Sequence, residues 1–281
     1  MLLRRTFLVT PLLNLGARAQ PAWPVEKPIE VIIPVPPGGS LDVMPRLIMP
    51  YVAARISGMR VVMTNRTGAS GQVGMEALYN AVPDGYTLGA ATLPALSAIP
   101  LERSVRFQAL SFTYLANVVE DANAFYVRAD SPLRSLADLV ATARARPGGL
   151  TYGTGGVGTD DHLFMLAFER EAGLPPSVHV PFSGVPPQIP QLLGGNLDLV
   201  AANVGDVLPL VLEGRLRILA QAAENRQREA PDVPTFREAG LDGVAGAARG
   251  ILAPPGLPPA ITQRLTTAFA EVLRDEGFLR E

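Results

Sequence analysis

Short apolar runs alternate along this chain with longer stretches whose apolar residues recur at helical spacing, and Gly and Pro punctuate the joins. The pattern predicts strands at 29–34, 60–64, 86–92, 124–128, 150–153, 177–181, 197–202, 216–221 and 249–253. It predicts helices at 40–57, 71–82, 135–146, 160–172, 187–194, 206–213 and 258–274. Strands that alternate with helices build parallel sheets covered by helices, so the expected fold class is α/β. The helix at 135 carries its own start signal, with Ser135 in the N-cap position and Asp138 in the first turn. "RPGG" at 146–149 closes it with a basic residue, a proline and two glycines.

One order of elements occurs twice. "VIIPVPPGGSLDVMPRLIMPYVAAR" reads strand, Gly-rich corner, helix, and the strand "RVVMTN" follows. "LTYGTGGVGTDDHLFMLAFEREAG" repeats that order before the strand "VHVPF". Each unit leads to a third strand, "YTLGAAT" and "LDLVAANV" respectively. The likeness lies in the order and not in the residues, and it predicts two similar lobes. In each corner the first N–H groups of the helix lack intrahelical partners and carry the positive end of the helix dipole. A Gly-rich approach lets a ligand come close to that backbone. Parallel sheets place their ligand crevice beyond the carboxyl ends of the strands, where both corners lie. Two facing corners therefore predict a cleft that holds a small anion by main-chain donors.

Composition narrows the function. A chain of 281 residues fits one large domain or two lobes of ordinary size. With 48% hydrophobic and 18% charged residues it is globular rather than disordered. A formal net charge of -2, with no basic stripe, gives no case for a nucleic-acid partner. The absence of cysteine excludes disulfides, zinc–thiolate sites and thiol catalysis. Arg4 and Arg5, the apolar residues 7–15 and "ARAQ" at 17–20 read as a signal peptide over 1–19, with export to the periplasm. Its apolar part is far shorter than the roughly 20 residues that span a bilayer. "RRTFL" also resembles a twin-arginine signal, although Leu3 stands where Ser or Thr is usual.

Catalytic constellations fare poorly. Gly153-Thr154-Gly155-Gly156-Val157-Gly158 fits the dinucleotide pattern G-x-G-x-x-G between a strand and a helix. That pattern also wants an acid about 20 positions on, at the end of the next strand. "SVHVPFSG" offers none, and Glu169 and Glu171 fall inside the helix. No G-x-S-x-G elbow occurs, since "GASGQ" has its second Gly one place too early. His179 sits mid-strand and reads as structural; His162, on the first turn of a helix beside Asp160 and Asp161, reads as a buttress for the loop, with a metal or general-base role as the alternative. No His–carboxylate cluster has metal-ligand spacing. No catalytic residue, cofactor or metal is expected, and the alternatives left open are a nucleotide-dependent enzyme on the 153–158 loop and a receptor serving a signalling partner.

Several segments together resemble the extracytoplasmic solute-binding receptors of tripartite tricarboxylate transporters, the Bug family. They run in order from "PVEKPIEVIIPVPPGGSLD" through "TNRTGASGQVG", "PDGYTL", "GVGTDDHL", "HVPFSGVPPQIPQLLGGNLDLVAAN" and "EGRLRILA" to "PDVPTFREAGL" and "GILAPPGLPPAI". The resemblance implies a two-lobed, type II periplasmic binding protein (a Venus flytrap) with two crossovers, monomeric, binding one small organic ligand and serving membrane transporter subunits. It places lobe I at 20–119 plus 222–281 and lobe II at 120–221. Carried over residue by residue, the first corner contributes Pro37, Gly38, Gly39 and Asp42, and the second Gly158, Thr159 and His162. Ser40 and Asp160 adjoin these, and Ser70, Ser183 and Asn203 complete the expected ligand-binding set.

The departures from the family pattern bear on the ligand. Asp160 and Asp161 stand where small hydroxyl residues are common, Ser183 replaces a Lys or Arg before Gly184, and Ala202 replaces an acid before Asn203. A carboxylate near a helix N-terminus stabilises the helix but repels an anionic ligand there. The expectation is a neutral, amide-bearing or cationic ligand rather than a simple dicarboxylate. Family members also continue past the helix at 258–274 with further helical sequence, whereas this chain stops at "RDEGFLRE".

Overall fold

The computed structural model describes residues 23–280, so the signal-peptide reading lies outside the described residues. In chain order the elements are β1 (Ile29–Ile33), α1 (Ser40–Arg55), β2 (Val61–Asn65), α2 (Gln72–Tyr79), β3 (Thr87–Leu93) and α3 (Ala95–Glu102). Next come β4 (Thr113–Arg128), α4 (Leu136–Ala145), β5 (Thr151–Thr154), α5 (Asp160–Glu171), β6 (Val178–Pro181) and α6 (Gln188–Leu193). The chain continues with β7 (Leu199–Asn203), α7 (Val204–Leu212), β8 (Leu216–Gln221), β9 (Gly246–Ala253) and α8 (Pro259–Val272).

Two elements differ from the sequence pattern. α3 carries Pro100 in its interior, which reads as a breaker. β4 is 16 residues long, and its first half was not visible as a strand. That half has register shifts against β9 between Tyr114 and Ala116 and between Asn117 and Val119. Such irregularities break the period-two alternation by which a half-buried strand is recognised.

β4 joins two sheets. Its first part, Thr113 to Ala122, pairs antiparallel with β9, which pairs with β3 and so continues to β1 and β2. From Asn123 to Arg128 it pairs instead with β7 and β8, and β7 continues to β5 and β6. The parallel ladders β2-β1-β3 and β7-β5-β6 are the two strand–corner–helix units of the sequence. At the joint, Ala222 N–H donates to Asn123 O at 2.7 Å and Asn123 N–H donates to Ala245 O at 2.9 Å. The returning chain is thus tied to β4 where the pairing changes.

Each sheet has helices on both faces. β1, β3 and β9 bury Ile29, Val31, Leu88 and Ile251 against α1 and α8, which present Met44, Ile48, Val52, Leu265 and Phe269. The opposite face carries Ile32, Met75, Leu78 and Leu96. In the second sheet, Phe125, Val127, Leu199 and Ala201 face α4 and α5, while Ala124, Tyr126, Val200 and Ala202 face α6 and α7. Phe125 meets Phe164, Phe168 and Phe236 at ring separations of 5.4, 5.0 and 5.2 Å. Burial of each such ring contributes about 1.5–3 kcal/mol. The predicted cap is present, with Asp138 N–H donating to Ser135 Oγ at 3.1 Å.

Candidate functional site between two helix N-termini

The first corner is held from within. Gly38 has φ +97°, a conformation that glycine adopts without strain. Its N–H donates to Asp42 Oδ2 at 3.0 Å, and Asp42 Oδ1 accepts from Arg46 Nη2 at 2.8 Å and Asn65 Nδ2 at 2.8 Å. Burial pushes the Asp42 carboxyl up, but the bonds from Arg46, Asn65 and Gly38 outweigh it and hold it below its ordinary value.

The second corner is built from different parts. Gly155 N–H donates to Asp161 Oδ2 at 2.9 Å, and Thr159 Oγ1 donates to Gly156 O at 2.8 Å. Gly158 N–H donates to His162 Nδ1 at 3.2 Å, the His162 and His179 rings stack at 4.2 Å, and His179 Nε2 lies 2.7 Å from Thr154 Oγ1. Burial lowers both imidazoles, and the neighbouring His162 adds to the fall of His179 to about 4. Neutral His162 accepts from the loop backbone, so it supports the corner rather than facing the cleft.

The corners meet around a cavity of about 100 Å³ lined from both sheets. Gly39, Ser40, Ser70, Thr159, Asp160, Ser183 and Asn203 of the expected set line it. Pro37 and Gly38 are exposed on the corner, while Asp42, Gly158 and His162 lie behind the lining. Ser70 has φ +53°, and a Cβ on Gly156 would come within 2.3 Å of its Oγ, so the halves are in close contact there. Ser40 Oγ and, at 3.3 Å, Ser40 N–H both donate to Asp206 Oδ1 of α7. The α1 corner thus already has a carboxylate on its N-terminal donor.

Part of the lining, Asp160, Asp161, Asn203, Asp206 and Arg249, belongs to a buried polar hub that pattern reading missed. Arg249 of β9, 3% exposed, donates to Asp121 at 3.1 Å, Asn203 Oδ1 at 2.6 Å and Asp206 at 3.3 Å. Asp160 Oδ2 accepts from Asn123 Nδ2 and Asn203 Nδ2, both at 2.9 Å. One guanidinium therefore stands among the carboxyls of Asp121, Asp160, Asp161 and Asp206. Burial lowers the Arg249 pKa, but Asp206 and Asp121 more than offset it, so the net shift is upward. Burial, aided by Asp160, pushes Asp161 well above the usual carboxylate range, and burial also raises Asp121 despite Arg249. Among the described residues no group of three or more His, Cys, Asp or Glu is placed to hold a metal ion.

Signals for the hub were present. "NVGD" at 203–206 has capping-box spacing ahead of a helix, and the box forms, with Asp206 Oδ2 accepting from Asn203 N–H at 3.3 Å. Arg249 is a lone charge inside the apolar strand "GAARGILA", a placement that demands a buried acidic partner.

A model of the tripartite tricarboxylate transporter family receptor (TctC) matches residues 49–280. The chain belongs to that family. TctC proteins are periplasmic solute-binding receptors and not enzymes, and no helix among the described residues is long and apolar enough to cross a membrane. Protein BugT of Bordetella pertussis is 32% identical, over 89% of this chain and 78% of its own. MatC of Rhodopseudomonas palustris, solved with bound malate, superposes with a TM-score of 0.83 at 28% identity, over 89% of this chain and 85% of that one. Rpa4515 of R. palustris, solved with adipate, gives a TM-score of 0.83 at 28% identity, over 91% and 86%. The two-lobed periplasmic binding fold read from the sequence is the fold of these TctC relatives.

Proposed function

We propose that this TctC receptor captures one small organic ligand in the periplasm, between the α1 and α5 corners, and delivers it to the membrane subunits of a tripartite transporter. The observation that carries the reading is a cavity lined by both lobes at which two helix N-termini converge. Ligand bridges the lobes and shifts their open–closed equilibrium towards closed. We take the lobes to divide within β4 and again ahead of β9, a reading supported by the packing of Phe236 and Leu241 in the second-sheet core. Export follows from the signal-peptide reading, with the twin-arginine route as its proposed form.

The ligand class follows from the lining. Relatives with malate and adipate favour a carboxylate end, which the helix N-termini and Arg249 suit. Asp160, Asp161 and Asp206 in the same wall favour an amide or ammonium end. A small amide- or amine-bearing carboxylate satisfies both. Mass spectrometry of the compound that copurifies, followed by calorimetry with dicarboxylates, amino acids and their amides, tests this. Tight binding of a plain dicarboxylate with amides and amines inert would overturn the ligand class, and no response to any small organic ligand would overturn the receptor reading.

A further inference from the structure

The α1 corner has no cap of its own and borrows one. Its N-cap residue, Gly39, has no side chain and makes no capping hydrogen bond. The acceptor comes from the other side of the cleft, where Asp206 Oδ1 on α7 takes Ser40 N–H at 3.3 Å and Ser40 Oγ. The second oxygen of the same carboxyl is anchored at home. Asp206 Oδ2 accepts from Asn203 N–H at 3.3 Å, which closes the capping box of α7, and from Arg249 Nη2 at 3.3 Å. Each oxygen thus has at least one N–H aimed at it, so both act as acceptors. Oδ1 fills the place that a ligand carboxylate takes at a helix N-terminus.

The α5 corner is built the other way. Its N-cap, Thr159, also makes no capping hydrogen bond, because its hydroxyl is spent on Gly156 O at 2.8 Å. The nearby carboxyls are engaged elsewhere, Asp161 with Gly155 N–H and Asp160 with Asn123 and Asn203. Glu102 of α3 lies close to Gly158 but pairs with Arg103 at 3.5 Å and does not line the cavity. One end of the cleft therefore holds a resident carboxyl on its helix, and the other does not.

We propose that Asp206 is a specificity-determining residue of the cleft. It stands in for a ligand carboxylate at the α1 corner, so the receptor takes compounds with a single carboxylate, directed to α5, and discriminates against dicarboxylates of the same length. The inference rests on the receptor reading above and names the residue that sets its ligand class. A second carboxylate reaching α1 has to share Ser40 with Asp206, and two carboxyls on one set of donors disfavour each other. A neutral amide at that end brings no such conflict. Selectivity of this kind comes from a clash built against the wrong ligand rather than from a new contact to the right one.

Calorimetry with two matched pairs tests the proposal: succinate against succinamate, and adipate against adipamate, the members of each pair differing at one end only. In the wild-type chain the monoamide of at least one pair is expected to bind about tenfold or more tightly than its diacid. Asp206→Asn keeps the size of the side chain. Asn203 N–H and Arg249 both donate to the inner position, so the amide oxygen belongs there and the NH2 group faces the α1 corner. An acceptor becomes a donor, and the preference for the monoamide should fall about tenfold or invert. Asp206→Ser, which removes the carboxyl outright, should shift the ratio the same way. Circular dichroism checks the fold of both variants, and should neither fold, the wild-type ratios decide. Diacids binding as tightly as their monoamides in the wild-type chain, or no binding of any of the four up to about 10 mM, would overturn the proposal. A monoamide preference that survives in the folded variants would also overturn it, leaving the ligand class standing and removing Asp206 as its cause. The copurified-ligand experiment tests the receptor reading on its own.

Discussion

The two corners use one device with opposite electrostatic results. In each, an aspartate in the first turn of a helix reaches back to a glycine N–H of the preceding loop: Asp42 to Gly38 at 3.0 Å, and Asp161 to Gly155 at 2.9 Å. Asp42 also has Arg46 one helical turn on and Asn65 on β2, and it is held below its ordinary pKa. Asp161 has another aspartate beside it and a shared amide, and it is pushed well above. Position at a helix N-terminus thus does not decide whether an acid is ionised. The nearest partner and the depth of burial decide it. One corner is locked by an ion pair of its own, whereas the other depends on Arg249 from β9.

That dependence yields the largest expected effect. Arg249→Met leaves Asp121, Asp160, Asp161 and Asp206 without their shared cation, and urea denaturation should show a loss of about 3–5 kcal/mol. An unchanged midpoint would break the contrast between the corners. Asp42→Ala should cost about 1–3 kcal/mol by stranding the Gly38 and Asn65 donors. Because the folded pKa of Asp42 is depressed, its contribution is present above the usual carboxylate range and fades as pH falls below it. The deficit of the Asp42→Ala variant should therefore narrow in acid, and a constant deficit would remove ionisation from the account. Ser40→Ala removes one hydroxyl bond across the cleft to Asp206 and should cost about 1 kcal/mol in the same assay.

The subtlest expectation concerns slope. Asp161 has a raised folded pKa, so the folded state binds its proton more tightly and stability from this group declines as pH rises above the usual carboxylate range. His179 works the other way: held to about 4 in the fold, it contributes stability above about 6.5 that is lost as pH falls towards 4. Asp161→Asn should gain stability relative to the wild-type chain as pH rises through this window, and His179→Gln should flatten the acid limb. Parallel curves for wild type and Asp161→Asn would show that Asp161 titrates as an ordinary carboxylate.

Much of this was legible from residues, for identifiable reasons. Both corners were, because strand, Gly-rich turn and helix start each leave a local signature, as at Pro34 to Asp42. The cap at Ser135 was, for the same reason. The unusual chemistry of Asp160 and Asp161 was flagged by departure from the family pattern, although nothing local told that one of them is pushed towards its neutral form. The hub was not assembled, since Asp121, Asn123, Asn203 and Arg249 come from three strands and meet only once both sheets have formed. The first half of β4 was hidden by its own irregular register.

β4 also carries a vulnerability of a different kind, that of a reading frame. Alternate residues beyond Asn123 go to opposite layers: Phe125 and Val127 to one, Ala124 and Tyr126 to the other. The same strand is registered upstream against β9, through Asp121 opposite Ala247 and Ala122 opposite Gly246. One residue inserted between these stretches would send Phe125 into the space built for Tyr126 and swap every partner after it. Point substitutions here are local losses, but a single insertion garbles a whole lobe while leaving the other readable.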